Sequence, residues 1–133
     1  MTKATILIPT HNAPSTIGDA VDSALRQTER DIEILIVGDG VTAEHRDVIH
    51  TIASSDRRVV FLDLPKGENR GERNRHLGVH EAKSPAIVYL ADDDLLLSHH
   101  VENMLQLLED TDLCQSRNGY VTATDDVVLW PTD

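Results

Sequence analysis

Short apolar runs alternate along the chain with segments in which apolar residues recur at helical spacing, and this alternation constrains the fold more than any other feature. Four short runs are predicted to be strands, at residues 5–9, 32–37, 59–62 and 86–90, and the first of them is predicted to be buried on both faces. Amphipathic helices are predicted around residues 17–25, 42–53 and 98–108, and more weakly over 69–82. Strand and helix in regular alternation predict an α/β domain: a mainly parallel sheet with helices on both faces.

The ends of these elements carry local signals. Ser15 and Ser98 are predicted N-caps, because a hydroxyl can accept from a free backbone N–H of the first turn, and Thr42 precedes the second helical pattern. Residues 113–130 have strand composition with turn signals at Asn118-Gly119 and at residues 125–126. The sequence therefore predicts a possible C-terminal hairpin at one edge of the sheet.

Length and composition limit the number of domains, the kinds of partner and the cellular compartment. A chain of 133 residues fits one domain, taken here as residues 1–133. A net charge of −11 and only 3% aromatic residues disfavour a nucleic-acid partner, which would need phosphate attraction and base stacking. No apolar run is long enough to span a bilayer, and the N-terminus lacks the features of a signal peptide. With the single Cys114, which excludes an internal disulfide, this composition favours the cytoplasm.

Ligands of open α/β sheets bind beyond the carboxyl ends of the strands, so the residues that follow each predicted strand are the candidate site. These are Pro9, Thr10, His11 and Asn12 after the first strand, Gly38, Asp39 and Gly40 after the second, and Asp92, Asp93 and Asp94 after the fourth. We expect all three groups to converge on one crevice.

The triple aspartate has two interpretations. Adjacent carboxylates repel each other unless a cation or hydrogen-bond donors compensate, and carboxylate oxygens suit Mg²⁺ or Mn²⁺. The alternative is a solvated acidic turn before the last helix. The position at a strand end favours the metal, and so does the charge distribution: residues 92–133 contain ten acidic residues and one basic residue.

The remaining candidates are weaker. Asp39 is either a plain turn residue or a single acceptor for a base or a ribose hydroxyl, since neither a dinucleotide fingerprint nor a P-loop is present. Residues 66–83 contain five of the twelve basic residues, either as a solvated, ion-paired helix face or as the source of one arginine, Arg75, for an anionic ligand. Adjacent His99 and His100 point about 100° apart on a helix and are unfavourable as joint metal ligands.

Taken together, the motifs resemble family 2 glycosyltransferases of the GT-A fold. Residues 6–12 (ILIPTHN) are similar to the family's I-I-I-P-T-Y-N, residues 23–28 (SALRQT) to its S-x-x-x-Q-T, and residues 37–41 (VGDGV) to its V-D-D-G-S turn. Residues 75–78 (RHLG) look like part of its A-R-N-x-G helix, and residues 90–94 (LADDD) look like its acidic D-x-D region. The matches occur in order and cover most of residues 4–110.

The resemblance implies a nucleoside-diphosphate sugar, of UDP or GDP type, as donor for transfer to an acceptor hydroxyl. Pro9, Thr10, His11 and Asn12 would line the nucleotide pocket, Asp39 would accept from the base, and Arg75 would lie near the phosphates. Asp92 would approach the ribose or sugar, with Asp93 close by, and Asp93 or Asp94 would hold the Mg²⁺ or Mn²⁺ that bridges the diphosphate. An acidic crevice needs such an ion to attract a diphosphate and to stabilise it as a leaving group.

Several positions depart from the family pattern. Gly38 replaces the first acid of the turn, Val41 its serine, His11 the usual tyrosine and His76 the usual asparagine. The family's acceptor-activating carboxylate lies in a later segment, so no catalytic base is predicted and the domain is expected to be incomplete at its C-terminus.

Two hypotheses follow: the donor-binding part of a glycosyltransferase, or a catalytically inactive GT-A-like binding or scaffold module. A phospho-receiver domain is disfavoured because receivers carry paired acids after the first strand, where this chain has residues 9–12 (PTHN). Self-association through an uncovered sheet edge, or docking to a partner domain, is a further expectation.

Overall fold

A computed structural model of the chain describes residues 1–130. Strands and helices alternate as predicted through the first 107 residues, and a 3₁₀ turn at Asn69–Gly71 precedes the third helix. The elements are β1 (Ala4–Thr10), α1 (Ile17–Leu25), β2 (Ile32–Asp39), α2 (Ala43–Ser55), β3 (Val59–Leu64), α3 (Glu72–Glu81), β4 (Ile87–Tyr89), α4 (His100–Leu107), β5 (Gly119–Val121) and β6 (Val127–Leu129).

Strands β1 to β4 form one parallel sheet in the order β3-β2-β1-β4. Strand β1 lies between β2 and β4, with Ile6 opposite Ile34 on one side and Val88 on the other. Because all four strands run in the same direction, their carboxyl ends share one edge of the sheet. This topology brings the segments after β1, β2 and β4 together, as the sequence predicts.

The central strands β1 and β2 are buried on both faces, which explains their apolar runs, whereas the edge strands β3 and β4 are partly exposed. On one face Ile6, Ile8 and Ile34 pack with Ile17 of α1 and Ile49 of α2, all inaccessible to solvent. Leu7, Leu35 and Val37 face the other side, where α3 packs. A side chain on Gly78 of α3 would place Cβ 2.6 Å from Val37 Cγ2, so glycine allows this close approach of helix and sheet. Burial of each Leu or Ile contributes about 1.5–3 kcal/mol.

Both predicted N-caps are wrong by one residue, and Thr42 is the residue that caps α2: its hydroxyl accepts from the His45 N–H at 3.3 Å. The N-cap of α1 is Thr16 rather than Ser15, and α4 follows His99 rather than Ser98. Ser98 instead stays in the loop, where its carbonyl accepts from the Thr28 N–H at 2.8 Å.

The C-terminal hairpin is present, but not at an edge of the main sheet. Strands β5 and β6 pair antiparallel as a separate two-stranded sheet, and all six of their residues are exposed. The turn at residues 122–126 is closed by Thr122, whose hydroxyl accepts from the Thr124 and Asp126 N–H groups. The second predicted turn, at Asn118-Gly119, is absent: β5 begins at Gly119, with Asn118 directly before it. The predicted domain extends to residue 133, and its last three residues lie outside the described part.

Within residues 1–130, no helix has the length and apolar character needed to cross a membrane. The longest helix, α2, has 13 residues.

Candidate functional site

Residues at the carboxyl end of β1 connect the ends of its two neighbouring strands. The Thr10 hydroxyl donates to Asp92 Oδ2 at 2.5 Å, which joins β1 to the segment after β4. His11 Nδ1 lies 2.7 Å from the Asp39 carbonyl, which joins β1 to the end of β2. Asn12 Oδ1 accepts from the Thr42 hydroxyl at 3.4 Å, at the start of α2. The three predicted groups therefore meet at one edge of the sheet.

Asp39 is the best-anchored carboxylate of this edge. Its Oδ1 accepts from the Gly67 N–H at 2.6 Å and from Asn74 Nδ2 at 2.7 Å, and its Oδ2 accepts from Lys66 Nζ at 2.5 Å. Burial acts to raise the pKa of the Asp39 carboxyl, but Lys66, Gly67 and Asn74 together outweigh it and hold the pKa below its ordinary value. Asp39 thus ties the loop after β3, and the first turn of α3, to the end of β2.

A left-handed turn lies directly against this carboxylate. The backbone φ angles of Asn69, Arg70 and Gly71 are 51°, 58° and 74°. Residues other than glycine adopt this left-handed region at an energetic cost. A Cβ on Gly71 would lie 2.7 Å from the Asp39 Cγ and Oδ2 atoms. Glycine at residue 71 therefore supplies both the backbone angle and the space for Asp39.

Arg75 of α3 stabilises the same turn, because its guanidinium donates to the Arg70 carbonyl at 2.6 Å. Arg75 is half-buried. Within residues 1–130 it makes no hydrogen bond or ion pair with Asp92, Asp93 or Asp94. The structure thus gives Arg75 a partner in its own loop, and its predicted contact with phosphate stays a prediction.

The three consecutive aspartates differ in their surroundings. Asp92 is half-buried and fixed by Thr10, whereas Asp93 and Asp94 are exposed. Neither exposed carboxylate has a hydrogen bond or ion pair to any described residue. No set of three or more His, Cys, Asp or Glu side chains in the described chain is grouped to hold a metal ion.

The donor chemistry nevertheless fits a hard divalent cation. Mg²⁺ is commonly bound by one or two carboxylates, with water and substrate phosphates completing its shell. Two unpaired carboxylates at the strand-end edge, Asp93 and Asp94, meet that requirement without a third protein ligand. His99, directly before α4, has its Nδ1 atom 3.4 Å from Glu102 Oε2.

His45 is a buried member of the site that sequence reasoning missed. Its side chain is inaccessible to solvent, and its Nε2 lies 2.7 Å from Thr10 Oγ1. Burial lowers the pKa of His45, and the nearby Asp92 carboxylate opposes that shift. A signal was available: residues 45, 49 and 52 share one face of α2, so the apolar face predicts a buried position at His45.

Lys66 and Asn74 were also missed as partners of Asp39. Asn74 stands where the quoted A-R-N-x-G motif has alanine, and it is almost fully buried. Its Nδ2 also donates to the Pro65 carbonyl at 2.8 Å. Pro9, a predicted member of the nucleotide pocket, is half-buried within β1, opposite Val37 of β2.

The strand-end geometry agrees with the comparison with protein families, in which the model for glycosyl transferase family 2 matches residues 5–129. The chain belongs to this family. Among curated relatives, a UDP-Glc:α-D-GlcNAc-diphosphoundecaprenol β-1,3-glucosyltransferase, WfaP of Escherichia coli, is 31% identical over 128 residues, which are 96% of this chain and 50% of WfaP. An uncharacterised glycosyltransferase of Haemophilus influenzae is 25% identical over 115 residues, 86% of this chain and 46% of that protein. The glycosyltransferase family 2 chain thus spans half or less of these relatives.

Solved structures agree on the fold of this family 2 domain. Staphylococcus aureus TarS 1–349 in complex with UDP-GlcNAc superposes with a TM-score of 0.71 at 15% identity, over 81% of this chain and 31% of that one. The mannosyltransferase PcManGT from Pyrobaculum calidifontis, in complex with GDP-Man and Mn²⁺, superposes with a TM-score of 0.65 at 16% identity, over 80% of this chain and 31% of that one. The predicted α/β fold of GT-A type is thereby confirmed.

Proposed function

We propose that this family 2 domain binds a nucleoside-diphosphate sugar of UDP or GDP type, through a divalent metal, for transfer of the sugar to an acceptor hydroxyl. The observation that carries the proposal is the meeting of Thr10, Asp39 and Asp92 at one sheet edge, beside the two unpaired carboxylates of Asp93 and Asp94. The named ligands of the similar structures, UDP-GlcNAc in TarS and GDP-Man with Mn²⁺ in PcManGT, support the substrate class.

The nucleotide would lie against residues 9–12 and Asp39. An ionised carboxylate has about four acceptor positions, and Asp39 uses three of them for Lys66, Gly67 and Asn74. One position is left for an N–H of the base. In this proposal Asp39 anchors the loop and contacts the base at the same time.

The three consecutive aspartates at the carboxyl-end edge repel a diphosphate unless a cation lies between them and the ligand. Asp93 and Asp94 would hold Mg²⁺ or Mn²⁺, which neutralises charge on the diphosphate and stabilises it as a leaving group. Asp92, oriented by Thr10, would face the ribose or the sugar, and Arg75 would approach the phosphates. No residue of the chain is nominated as the acceptor-activating base.

The catalytically inactive scaffold remains the second candidate, because the three bonds to Asp39 hold the site together without any ligand. Thermal unfolding separates the two. With Mn²⁺ present, UDP or GDP at about 100 times Kd stabilises a binding protein by about 2.7 kcal/mol. We expect Tm to rise by several degrees for at least one nucleotide, whereas a scaffold predicts no rise with either.

Matched variants localise the effect. Asp93→Ala and Asp94→Ala should each reduce the nucleotide-induced rise in Tm, and Asp112→Ala, which removes an exposed acid from a loop after α4, should leave it unchanged. Arg75→Gln should reduce the rise more than Arg73→Gln, a change at an exposed position of the same helix. Equal effects within both pairs would contradict the proposed ligand contacts.

The proposal has three further parts. Residues 1–133 form a single domain, the protein acts in the cytoplasm, and the chain self-associates through an edge of the sheet. The free Cys114 supports a reducing compartment. The short strand β4 is an edge strand of the sheet, and sedimentation at rising protein concentration tests association.

A further inference from the structure

A chain of two hydrogen bonds leads from the buried His45 to the strand-end site. His45 Nε2 and Asp92 Oδ2 both contact the hydroxyl oxygen of Thr10, at 2.7 and 2.5 Å. The three residues come from α2, β1 and the segment after β4. Among residues 1–130 the His45 side chain has one hydrogen-bond partner, Thr10, so its hydrogen-bonded link to the site runs through that hydroxyl.

Counting protons fixes the direction of these bonds. A threonine hydroxyl carries one proton and two lone pairs, and a carboxylate can only accept. The single proton of Thr10 is therefore used on Asp92, and the bond to His45 requires that Nε2 carry a proton. If Nε2 were unprotonated, His45 and Asp92 would compete for the same hydroxyl proton.

The other ring nitrogen shows that the imidazole is neutral. His45 Nδ1 is buried and has no hydrogen-bond partner in the described residues. An imidazolium would place an unpaired N–H there, which is less tolerable in a protein interior than an unpaired lone pair. His45 also lies in the first turn of α2, where the positive end of the helix dipole disfavours a cation.

We propose that His45 is a positioning residue of this site: as the neutral Nε2–H tautomer it donates to Thr10, directs the Thr10 proton onto Asp92, and so fixes that carboxylate before ligand binds. Its functional consequence rests on the proposed nucleotide-sugar site, while the tautomer and the proton direction are properties of the ligand-free chain. Fixing an acceptor in advance lowers the ordering cost of binding.

The tautomer is read from long-range ¹H–¹⁵N NMR correlations of the ligand-free chain, with His45 assigned by comparison with His45→Gln. We expect a protonated Nε2 and an unprotonated Nδ1. Thr10→Val removes the acceptor and should shift the Nε2 resonance of His45. A protonated Nδ1, an imidazolium, or an Nε2 resonance that does not shift in Thr10→Val would overturn the proposal, whether or not the chain binds a nucleotide.

The consequence for binding is measured by titrating UDP and GDP with Mn²⁺ into three variants. His45→Phe keeps a ring but removes the donor, and we expect roughly tenfold weaker binding, the scale of one lost hydrogen bond. His45→Gln retains an N–H donor and should recover most of the affinity. His50→Phe alters an exposed histidine of the same helix and should bind like the unaltered chain.

Thr10→Val provides a second route if His45→Phe does not fold, because it breaks the same chain of hydrogen bonds and should weaken binding at least as much. Unchanged affinity in both His45→Phe and Thr10→Val would overturn the positioning role even with the predicted tautomer. Absence of nucleotide binding by the unaltered chain would instead contradict the proposed function, and the NMR result would still decide the tautomer and the proton direction.

Discussion

Replacing Asp39 by asparagine tests how the strand-end site is held together. The substitution keeps the shape of the side chain and removes its charge. Oδ1 can still accept from the Gly67 N–H and from Asn74, but the new amide N–H₂ faces the Lys66 ammonium, which is also a donor. Two charge-assisted hydrogen bonds thus become neutral ones, and one ion pair becomes a contact between two donors.

The magnitude follows from these contacts. A hydrogen bond to a charged group contributes about 1.5–3 kcal/mol and a neutral one about 0.5–1.5, so the two bonds at Oδ1 lose about 2 kcal/mol together. The Lys66 side chain is 53% exposed, so its ion pair adds at most about 1 kcal/mol. We therefore expect Asp39→Asn to lower the free energy of unfolding by about 2–3 kcal/mol, and Lys66→Met by about 1 kcal/mol or less.

Urea denaturation followed by circular dichroism measures both values, and Tm should fall by roughly 10 °C in Asp39→Asn. Asp112→Asn, an exposed position, is the matched control and should change stability by less than about 0.5 kcal/mol. If Asp39→Asn were no more destabilising than Asp112→Asn, Asp39 would not be the anchor described here. If Lys66→Met cost as much as Asp39→Asn, the ion pair rather than the buried hydrogen bonds would carry the stability.

Three further predictions concern stability. Gly71→Ala should lower the free energy of unfolding by more than about 2 kcal/mol, because φ at this residue is +74° and the new Cβ would lie 2.7 Å from the Asp39 carboxylate. Gly18→Ala is the matched control in helix α1, where the new Cβ would meet open space, and it should be neutral or stabilising by up to about 1 kcal/mol. Equal urea midpoints for the two variants would refute this. Arg58 lowers the pKa of Asp56 to about 2 from an ordinary value of 3.8, so this pair stabilises the fold above pH 4 and the contribution disappears as pH falls toward 2. Asp56→Asn should flatten that part of the stability–pH curve, and an unchanged slope would contradict the pairing. Gln27→Leu should lower the free energy of unfolding in urea by about 3 kcal/mol, because the buried amide of Gln27 donates to the Leu97 carbonyl and accepts from the Val101 N–H, at the entry to α4. A loss below about 1 kcal/mol would argue against that role.

The fold could be predicted because its signals are local. A strand buried on both faces is mostly apolar, as in residues 32–37, where Glu33 is the one charged residue and is paired with Lys83, and a helix on such a sheet is apolar on one side. The caps were less predictable. Ser15 and Thr16 are adjacent hydroxyl residues, and where the chain turns into α1 decides which of them is the cap.

The candidate site could be predicted only as far as topology and motif allowed. The rule that parallel strands present their carboxyl ends together placed residues 9–12, Asp39 and Asp92 in one region. The partners that fix these residues were missed because they are distant in sequence: His45 is 35 residues from Thr10, and Asn74 is 35 residues from Asp39. The periodicity of α2 predicts that His45 is buried, but it does not predict which residue His45 contacts, because only packing brings such distant pairs together.

Arg75 shows the limit of a motif. The resemblance predicts a role near phosphate, and the structure shows its guanidinium on the Arg70 carbonyl. A motif specifies residue types and their spacing, but the local turn decides what the side chain contacts before a ligand arrives. The left-handed conformation of residues 69–71, which creates that contact, has only weak signals in the sequence, namely Asn69 and Gly71, two residue types that adopt positive φ more readily than others.

Calorimetric titration of UDP and of GDP into the chain, with and without Mn²⁺, measures metal-dependent nucleotide binding at this site. We expect saturable binding of at least one of the two nucleotides that depends on Mn²⁺ and is weakened by Asp93→Ala and by Asp94→Ala, but not by Asp112→Ala. Binding of neither nucleotide in the presence of Mn²⁺, or binding that is the same without the metal, would contradict the proposed function.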